Sequence, residues 1–328
     1  MMDVGAIQDA RGRIRGHILS TPIVPSPTLS DLCRVPVVLK LEHQQTTGSF
    51  KIRGATNAIL KLTETERARG VVAVSTGNHG RALAYAARAV GSCATICMSR
   101  LVPNNKVEEI RRLGADVRII GDSQDEAEIE VGRLVDEKGL VLLPPFDHPD
   151  IIAGQGTIGL EIFEALPDIA TVLVPVSGGG LAAGIAVAIK GVRPDVRLIG
   201  VSMQHGAAMK ASLDAGRPVQ VEEVRSLADA LGGGIGLHNE LTFGMCHSLL
   251  DELLLVTESE IAAGIRHAYE KEREIVEGAG AVGIAALLAN KIAGLRGPVA
   301  LVLSGRNVDM EMHRRVVNGL SDPLRGDV

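Results

Sequence analysis

Short runs rich in valine, isoleucine and leucine recur along the chain, each closed by glycine, proline or polar residues. They predict strands at Val37–Leu41, Val71–Ser75, Ala94–Met98, Val117–Ile120, Val141–Leu143, Val172–Val176, Leu198–Val201 and Val299–Leu303. The segments between them predict helices at Gly80–Val90, Asn104–Leu113, Ser123–Glu137, Gly156–Leu166, Leu181–Lys190, Glu258–Lys271 and Gly280–Lys291. Asn104, after Pro103, suits a helix cap, and Gly114 suits a stop. Strand and helix alternate over most of the length, which predicts an α/β fold of mostly parallel sheets flanked by helices. No repeat of fixed period and no low-complexity linker breaks the pattern, and Pro144-Pro145 is its clearest punctuation. Gly70 to that point reads as a compact unit, and the roughly twenty residues after Asn307 are too few for an added regulatory domain.

Composition narrows the function classes. The 328 residues suffice for two domains or one large one, and 46% hydrophobic with 22% charged residues is an ordinary globular balance. Aromatics are only 2%, so the core rests on Ala, Val, Ile and Leu, which suits a buried parallel sheet. A net charge of −5 argues against nucleic acid or an anionic membrane as the main partner. No apolar run approaches membrane-spanning length and no signal segment opens the chain, so the cytoplasm is the expected location. Cys33, Cys93, Cys97 and Cys246 form neither a disulfide framework nor a metal-site spacing; Cys93 and Cys97 lie in a run that reads as a buried strand and are expected to be small core residues in a reducing compartment.

The densest chemistry lies in Thr46 to Ala55, where Lys51 follows a Gly48-Ser49 turn and Phe50, with a helix from Ile52 to Leu60 expected next. A lone lysine is ordinarily a solvated surface residue. At a helix start, burial and the positive dipole end both disfavour the ammonium form, leaving the neutral amine that Schiff-base chemistry needs. Ser177-Gly178-Gly179-Gly180-Leu181 sits between a strand and a helix, where free N–H groups converge on an anion. It is neither G-x-G-x-x-G nor a G-x-x-x-x-G-K-[ST] loop, so one phosphate monoester fits better than a dinucleotide. Tight turns alone also use glycine runs, and a phosphate-binding protein without catalysis is the non-enzyme reading. Ser75-Thr76-Gly77-Asn78-His79-Gly80 offers donors for a substrate carboxylate, and Asn78 reaches for a cofactor hydroxyl; helix capping by Ser75, Thr76 or Asn78 is the plainer reading, and both can hold. Ser304, in Leu303 to Asn307, is placed to meet a pyridine nitrogen, or simply to turn a strand into a helix. A lysine and a glycine loop in this arrangement point to pyridoxal 5'-phosphate.

Thr47 to Ala55, Ser75 to Gly80, Ile152 to Thr157, Ser177 to Leu181, Glu277 to Gly280 and Leu303 to Asp309 follow one another in a familiar order. Through them nearly the whole chain resembles the threonine dehydratase/serine racemase family of fold-type II pyridoxal-phosphate enzymes. The Lys-Ile-Arg-Gly-Ala continuation resembles dehydratases more than cysteine or threonine synthases. The resemblance implies Lys51 as the Schiff-base lysine and acid–base group, Phe50 beside the ring and Asn78 at the ring hydroxyl. It implies Ser177 to Leu181 at the phosphate, Ser304 at the ring nitrogen, and Ser75, Thr76, Gly77, Asn78 and His79 around the substrate carboxylate. It also implies a large domain of residues 1–68 and 148–328, a small domain of 69–147, and a homodimer or higher homo-oligomer. The expected reaction is β-elimination from a small L-β-hydroxy amino acid, threonine or serine most simply.

Three departures qualify that expectation. Arg306 stands where the family usually has glycine and is a candidate substrate contact, or a partner for a nearby carboxylate. Thr76 replaces the serine that racemases use as a second acid–base group, which favours elimination. Ser202 to Ala208 carries no carboxylate where serine racemases bind a metal, so no metal site is expected. A changed loop at Arg306 would also suit a longer substrate, as in the hydroxyectoine-utilisation dehydratases acting on 3-hydroxy-2,4-diaminobutyrate; 3-hydroxyaspartate is a further candidate.

Overall fold

The computed structural model describes residues 2–319 apart from 76, 101, 103 and 123. Its strands are β1 (Ile23–Pro25), β2 (Val37–Lys40), β3 (Val71–Val74), β4 (Ala94–Met98), β5 (Asp116–Ile119), β6 (Val141–Leu142), β7 (Thr171–Pro175), β8 (Arg197–Met203), β9 (Glu252–Val256) and β10 (Val299–Val302). The first helices are α1 (Val4–Ile14), α2 (Pro27–Cys33), α3 (Lys51–Lys61), α4 (Glu64–Arg69), α5 (Asn78–Ala89), α6 (Asn104–Arg112) and α7 (Gln124–Lys138). After the proline pair come α8 (Pro149–Ala165), α9 (Gly180–Lys190), α10 (Ala208–Ala215), α11 (Thr242–Leu249), α12 (Glu258–His267), α13 (Gly278–Leu288) and α14 (Met310–Val317).

The strands form two sheets, in the orders β1-β2-β10-β7-β8-β9 and β5-β4-β3-β6. All pairings are parallel except that of β1 with β2. The six-stranded sheet is covered on both faces. Leu39, Leu173 and Leu301 join one apolar cluster with Ala281, Val282 and Ala285 of α13. Val172, Val174, Ala300 and Val302 join another with Ala182, Ile185 and Ile189 of α9. This two-sided burial explains why the strands read as continuous aliphatic runs rather than alternating ones.

In parallel sheets, ligands bind beyond the carboxyl ends of the strands. Here β2, β10 and β7 are neighbours, and the segments after them carry Lys51, Ser304 and the Ser177–Gly180 loop. In the second sheet the neighbours β3 and β6 lead to Ser75–Asn78 and to Pro145-Phe146. Both sheets therefore deliver their loops to one place.

The helix that starts at Lys51 is held on two sides. Arg53 is fully buried and bonds Glu42 through Nε (2.7 Å) and Nη2 (2.8 Å), and Glu161 through Nη1 (2.7 Å) and Nη2 (2.8 Å). Lys40 adds bonds to Glu161 and to the Thr21 carbonyl. Burial disfavours the Glu42 carboxylate, but Arg53 and Lys40 outweigh it and hold this carboxyl below its ordinary range. Directly after Arg53, Gly54 lets α3 and α8 touch through their backbones: an added Cβ would lie 2.7 Å from the Ile151 oxygen. The Gly54 N–H donates to Gln155 Oε1 at 3.2 Å.

Sequence and structure differ in places. The expected helix Glu258–Lys271 leaves α geometry at His267 and continues as a π-helical turn, Ala268–Glu272, closed by Arg273 at φ +62°. The edge strands β1 and β9 had no counterpart among the predicted runs.

Candidate active site

Lys51 is the first residue of α3, and its Nζ donates to the Pro145 carbonyl at 2.6 Å. The ammonium lies 5.3 Å from the centre of the Phe50 ring. Burial pushes its pKa from the usual 10.5 to about 8. About one lysine in ten is then the free amine at neutral pH, which no solvated lysine approaches.

Lys51 lines a cavity together with Phe50, Ser304, and Ser177 to Leu181. Gly180 opens α9, and Gly179 caps it at φ +87°, a backbone that favours glycine. The Ala183 N–H closes the first helical bond onto the Gly179 carbonyl at 2.8 Å, so the N–H groups just before it lie in the unpaired first turn. Phe146 packs on this loop so tightly that a Cβ on Gly178 would overlap its ring. The sequence marked the proline pair only as a break; the ring that follows is a wall of the site.

Ser75, Gly77, Asn78 and His79 line the opposite side. Ser75 Oγ accepts from the Gly80 N–H at 2.8 Å and the Gly77 N–H at 3.3 Å, so it does cap the helix start. Its own O–H proton is left to donate elsewhere. Gly77 faces open space: an added Cβ would meet nothing within 4 Å. His79 is buried, bonded through Nε2 to the Leu143 carbonyl at 2.8 Å. Burial, then the nearby Lys51 charge, pull its pKa down to about 3, so the imidazole is neutral. Thr76 lies outside the described residues.

Arg306 is not brought in. Its N–H bonds the Gly48 carbonyl at 2.8 Å, its side chain is solvent-exposed, and the next residue, Asn307, lines the cavity instead. Reasoning from sequence also gave no role to Arg81, Lys106, Asp229 or Gly232 to Gly234, which complete the lining. Among the described residues no cluster of three or more His, Cys, Asp or Glu could hold a metal, and no helix is long and apolar enough to cross a membrane.

Comparison with known proteins decides the family. Residues 14–305 match the family of pyridoxal-phosphate dependent enzymes. The chain belongs to that family. Within it, the chain is 65% identical over 319 residues to a Sinorhizobium fredii protein provisionally named a threonine dehydratase, covering 97% of this chain and 96% of that one. It is 44% identical over 318 residues to the L-threonine ammonia-lyase of Thermotoga maritima, covering 97% and 79% respectively. Maize serine racemase superposes with a TM-score of 0.91 at 31% identity, over 96% of this chain and 97% of that one. The chain is thus a fold-type II enzyme of the threonine dehydratase/serine racemase family.

The residues present fit the family's cofactor. A half-buried amine with a depressed pKa faces the cavity, and a glycine run leads into a helix N-terminus across from it.

Proposed function

We propose that this chain converts a small L-β-hydroxy amino acid, threonine first and serine second, into a 2-oxo acid and ammonium. Water is lost in the elimination and regained when the enamine product hydrolyses. The observation that carries this reading is Lys51, a half-buried amine bonded to the Pro145 carbonyl and, among the described residues, to no carboxylate, facing a glycine-lined loop. The printed names of the two relatives support the substrate class.

When bound, pyridoxal phosphate supplies an aldehyde that takes up amines and a conjugated ring that accepts the electrons left by the departing α-proton. The N–H groups of Ser177 to Leu181 would hold its phosphate, and Ser304 would face its ring nitrogen. A neutral hydroxyl there does not force that nitrogen to stay protonated, which suits elimination. Lys51 Nζ takes the α-proton, since its depressed pKa leaves a usable fraction of free base. Ser75 donates its free O–H to the substrate carboxylate, and Asn78 offers its backbone N–H beside it. Neutral His79 braces this loop against Leu143. We further propose a division into residues 1–68 with 148–328 and residues 69–147, supported by the four-stranded sheet lying wholly within 71–142. A cytoplasmic homo-oligomer is proposed on the family resemblance.

Keto-acid and ammonia release over threonine, serine, 3-hydroxyaspartate and 3-hydroxy-2,4-diaminobutyrate tests the reading. Threonine is expected to have the highest kcat/KM, with matching amounts of both products. D-isomer formation without keto acid would mean a racemase, and a colourless protein inert to all four would mean a binding protein. Because Arg306 is exposed, Arg306→Gly is expected to leave the ranking unchanged.

The Lys51 pKa gives a second test, on the apoprotein. Only the free amine attacks an aldehyde, so cofactor capture should speed up about tenfold per pH unit below 8 and level off above it. Stopped-flow absorbance follows this directly. A rate still rising steeply past pH 9 would mean an ordinary solvated lysine.

A further inference from the structure

Glu277 occupies an unusual place. It is the residue before α13, where Ser, Thr, Asp or Asn ordinarily caps the helix, yet its side chain caps nothing. It is 3% exposed, and a buried carboxylate is costly unless it is well bonded. Its Oε1 instead reaches across the cavity wall to Asn78 Nδ2 at 2.7 Å. The backbone N–H of Asn307 also favours the charged form of this carboxylate.

Asn307 closes the figure. Its Nδ2 donates to Asn78 Oδ1 at 2.6 Å and to the Thr47 carbonyl at 2.9 Å. Three elements far apart in sequence thus meet around one amide: the start of α5, the residue before α13, and the loop after β10. The backbone joins in, since the Glu277 N–H donates to the Gly305 carbonyl at 3.0 Å, and a Cβ on Gly305 would overlap the Glu277 carboxylate.

A side-chain amide has two orientations that differ by exchange of oxygen and nitrogen. An ionised carboxylate only accepts, so it requires the NH2 group to face it; the Asn307 NH2 only donates, so it requires the oxygen. Both demands select the same orientation. One Asn78 N–H is then spent on Glu277, and the other has no partner among the described residues.

We propose that Glu277 and Asn307 are positioning residues that lock the Asn78 amide so that its second N–H is presented to the ring oxygen of the cofactor. The inference rests on the reading above, in which Asn78 faces that ring. Protonating Glu277 would release the lock, because a carboxylic acid can donate as well as accept. Burial, then Asp229, raise this carboxyl to about 7, against the Asn78 and Asn307 bonds and Lys106. The charged groups facing it are Asp229 from the 229–231 turn, Lys106 from α6 and Arg81 from α5.

The test uses apoprotein reconstituted with pyridoxal phosphate, reading the cofactor's dissociation constant and the pH dependence of its absorption spectrum. In the wild type the spectrum should change with a midpoint near the Glu277 value of about 7. Glu277→Gln keeps the shape but can face Asn78 with either end. It should weaken the cofactor by about tenfold, the worth of one charge-assisted bond, and abolish the spectral change. Asn78→Ala separates the two layers of the argument. If it leaves affinity and spectrum as in the wild type, the placement of Asn78 at the ring fails, and this inference with it. If it alters them while Glu277→Gln does not, only the positioning role is overturned. Should Glu277→Gln not fold, the wild-type titration decides alone, and a spectrum flat between about pH 6 and 8 overturns the proposal.

Discussion

Lys51→Ala is expected to lower kcat by at least about 10⁴-fold, the upper end of what one acid–base side chain contributes. The loss is large because one nitrogen is asked to do two things, hold the cofactor covalently and move the α-proton. Among the described residues no other lysine is placed to take over: Lys106, which also lines the cavity, is bonded to Asp229 at 2.7 Å. Among the described residues His79 is the one histidine in the lining, and it is held neutral by burial. Steady-state keto-acid release measures the loss, and a variant within tenfold of the wild type would remove Lys51 from the chemistry. Binding itself should survive in part, since the phosphate loop is untouched.

Arg53→Ala is expected to cost about 3–5 kcal/mol of stability, the usual consequence of removing one partner from a buried ion-pair network. Glu42 has no exposure at all, and without the guanidinium Lys40, 3.7 Å away, is the one cation left beside it among the described residues, with the Thr21 hydroxyl still donating a bond. Glu161 is less affected because it is partly exposed and keeps Lys40. Arg53→Lys should recover only part of the loss, since one ammonium cannot replace the two-pronged bonds to both carboxylates. Denaturant unfolding of the apoprotein measures both variants. A loss below about 1 kcal/mol would mean that this cluster does not anchor the lysine helix.

The site was legible in sequence where its parts are local. The Ser177–Leu181 loop, Asn78 and Ser304 each closely follow a strand that its own aliphatic run announces, Lys51 follows β2 after ten intervening residues, and each lies in the cavity lining. What was not legible depends on distant approach. Asn78 meets Glu277 across 199 residues and Asn307 across 229, and no local pattern encodes such a closure. One signal was available: a glutamate where a short capping side chain is preferred, directly before a glycine-rich helix. Arg306 drew attention because it stands where the family usually has glycine, but its side chain is exposed and the loop turns at Asn307, with the Val308 N–H bonding the Arg306 carbonyl, so that Ser304 and Asn307 line the cavity instead. The edge strand β9 escaped because its run is Leu-Leu-Leu-Val, and leucine is a strong helix former without the β-branched signature of a strand. The π-helical turn after His267 escaped because helical spacing alone does not distinguish it from another α turn.

The central claim concerns one nitrogen. Holoprotein treated with borohydride, digested and mapped by mass spectrometry should carry the reduced pyridoxyl group on the peptide containing Lys51 and lose its visible absorption. A pyridoxyl group on a different lysine, or none on a protein that still turns over threonine, would contradict the account.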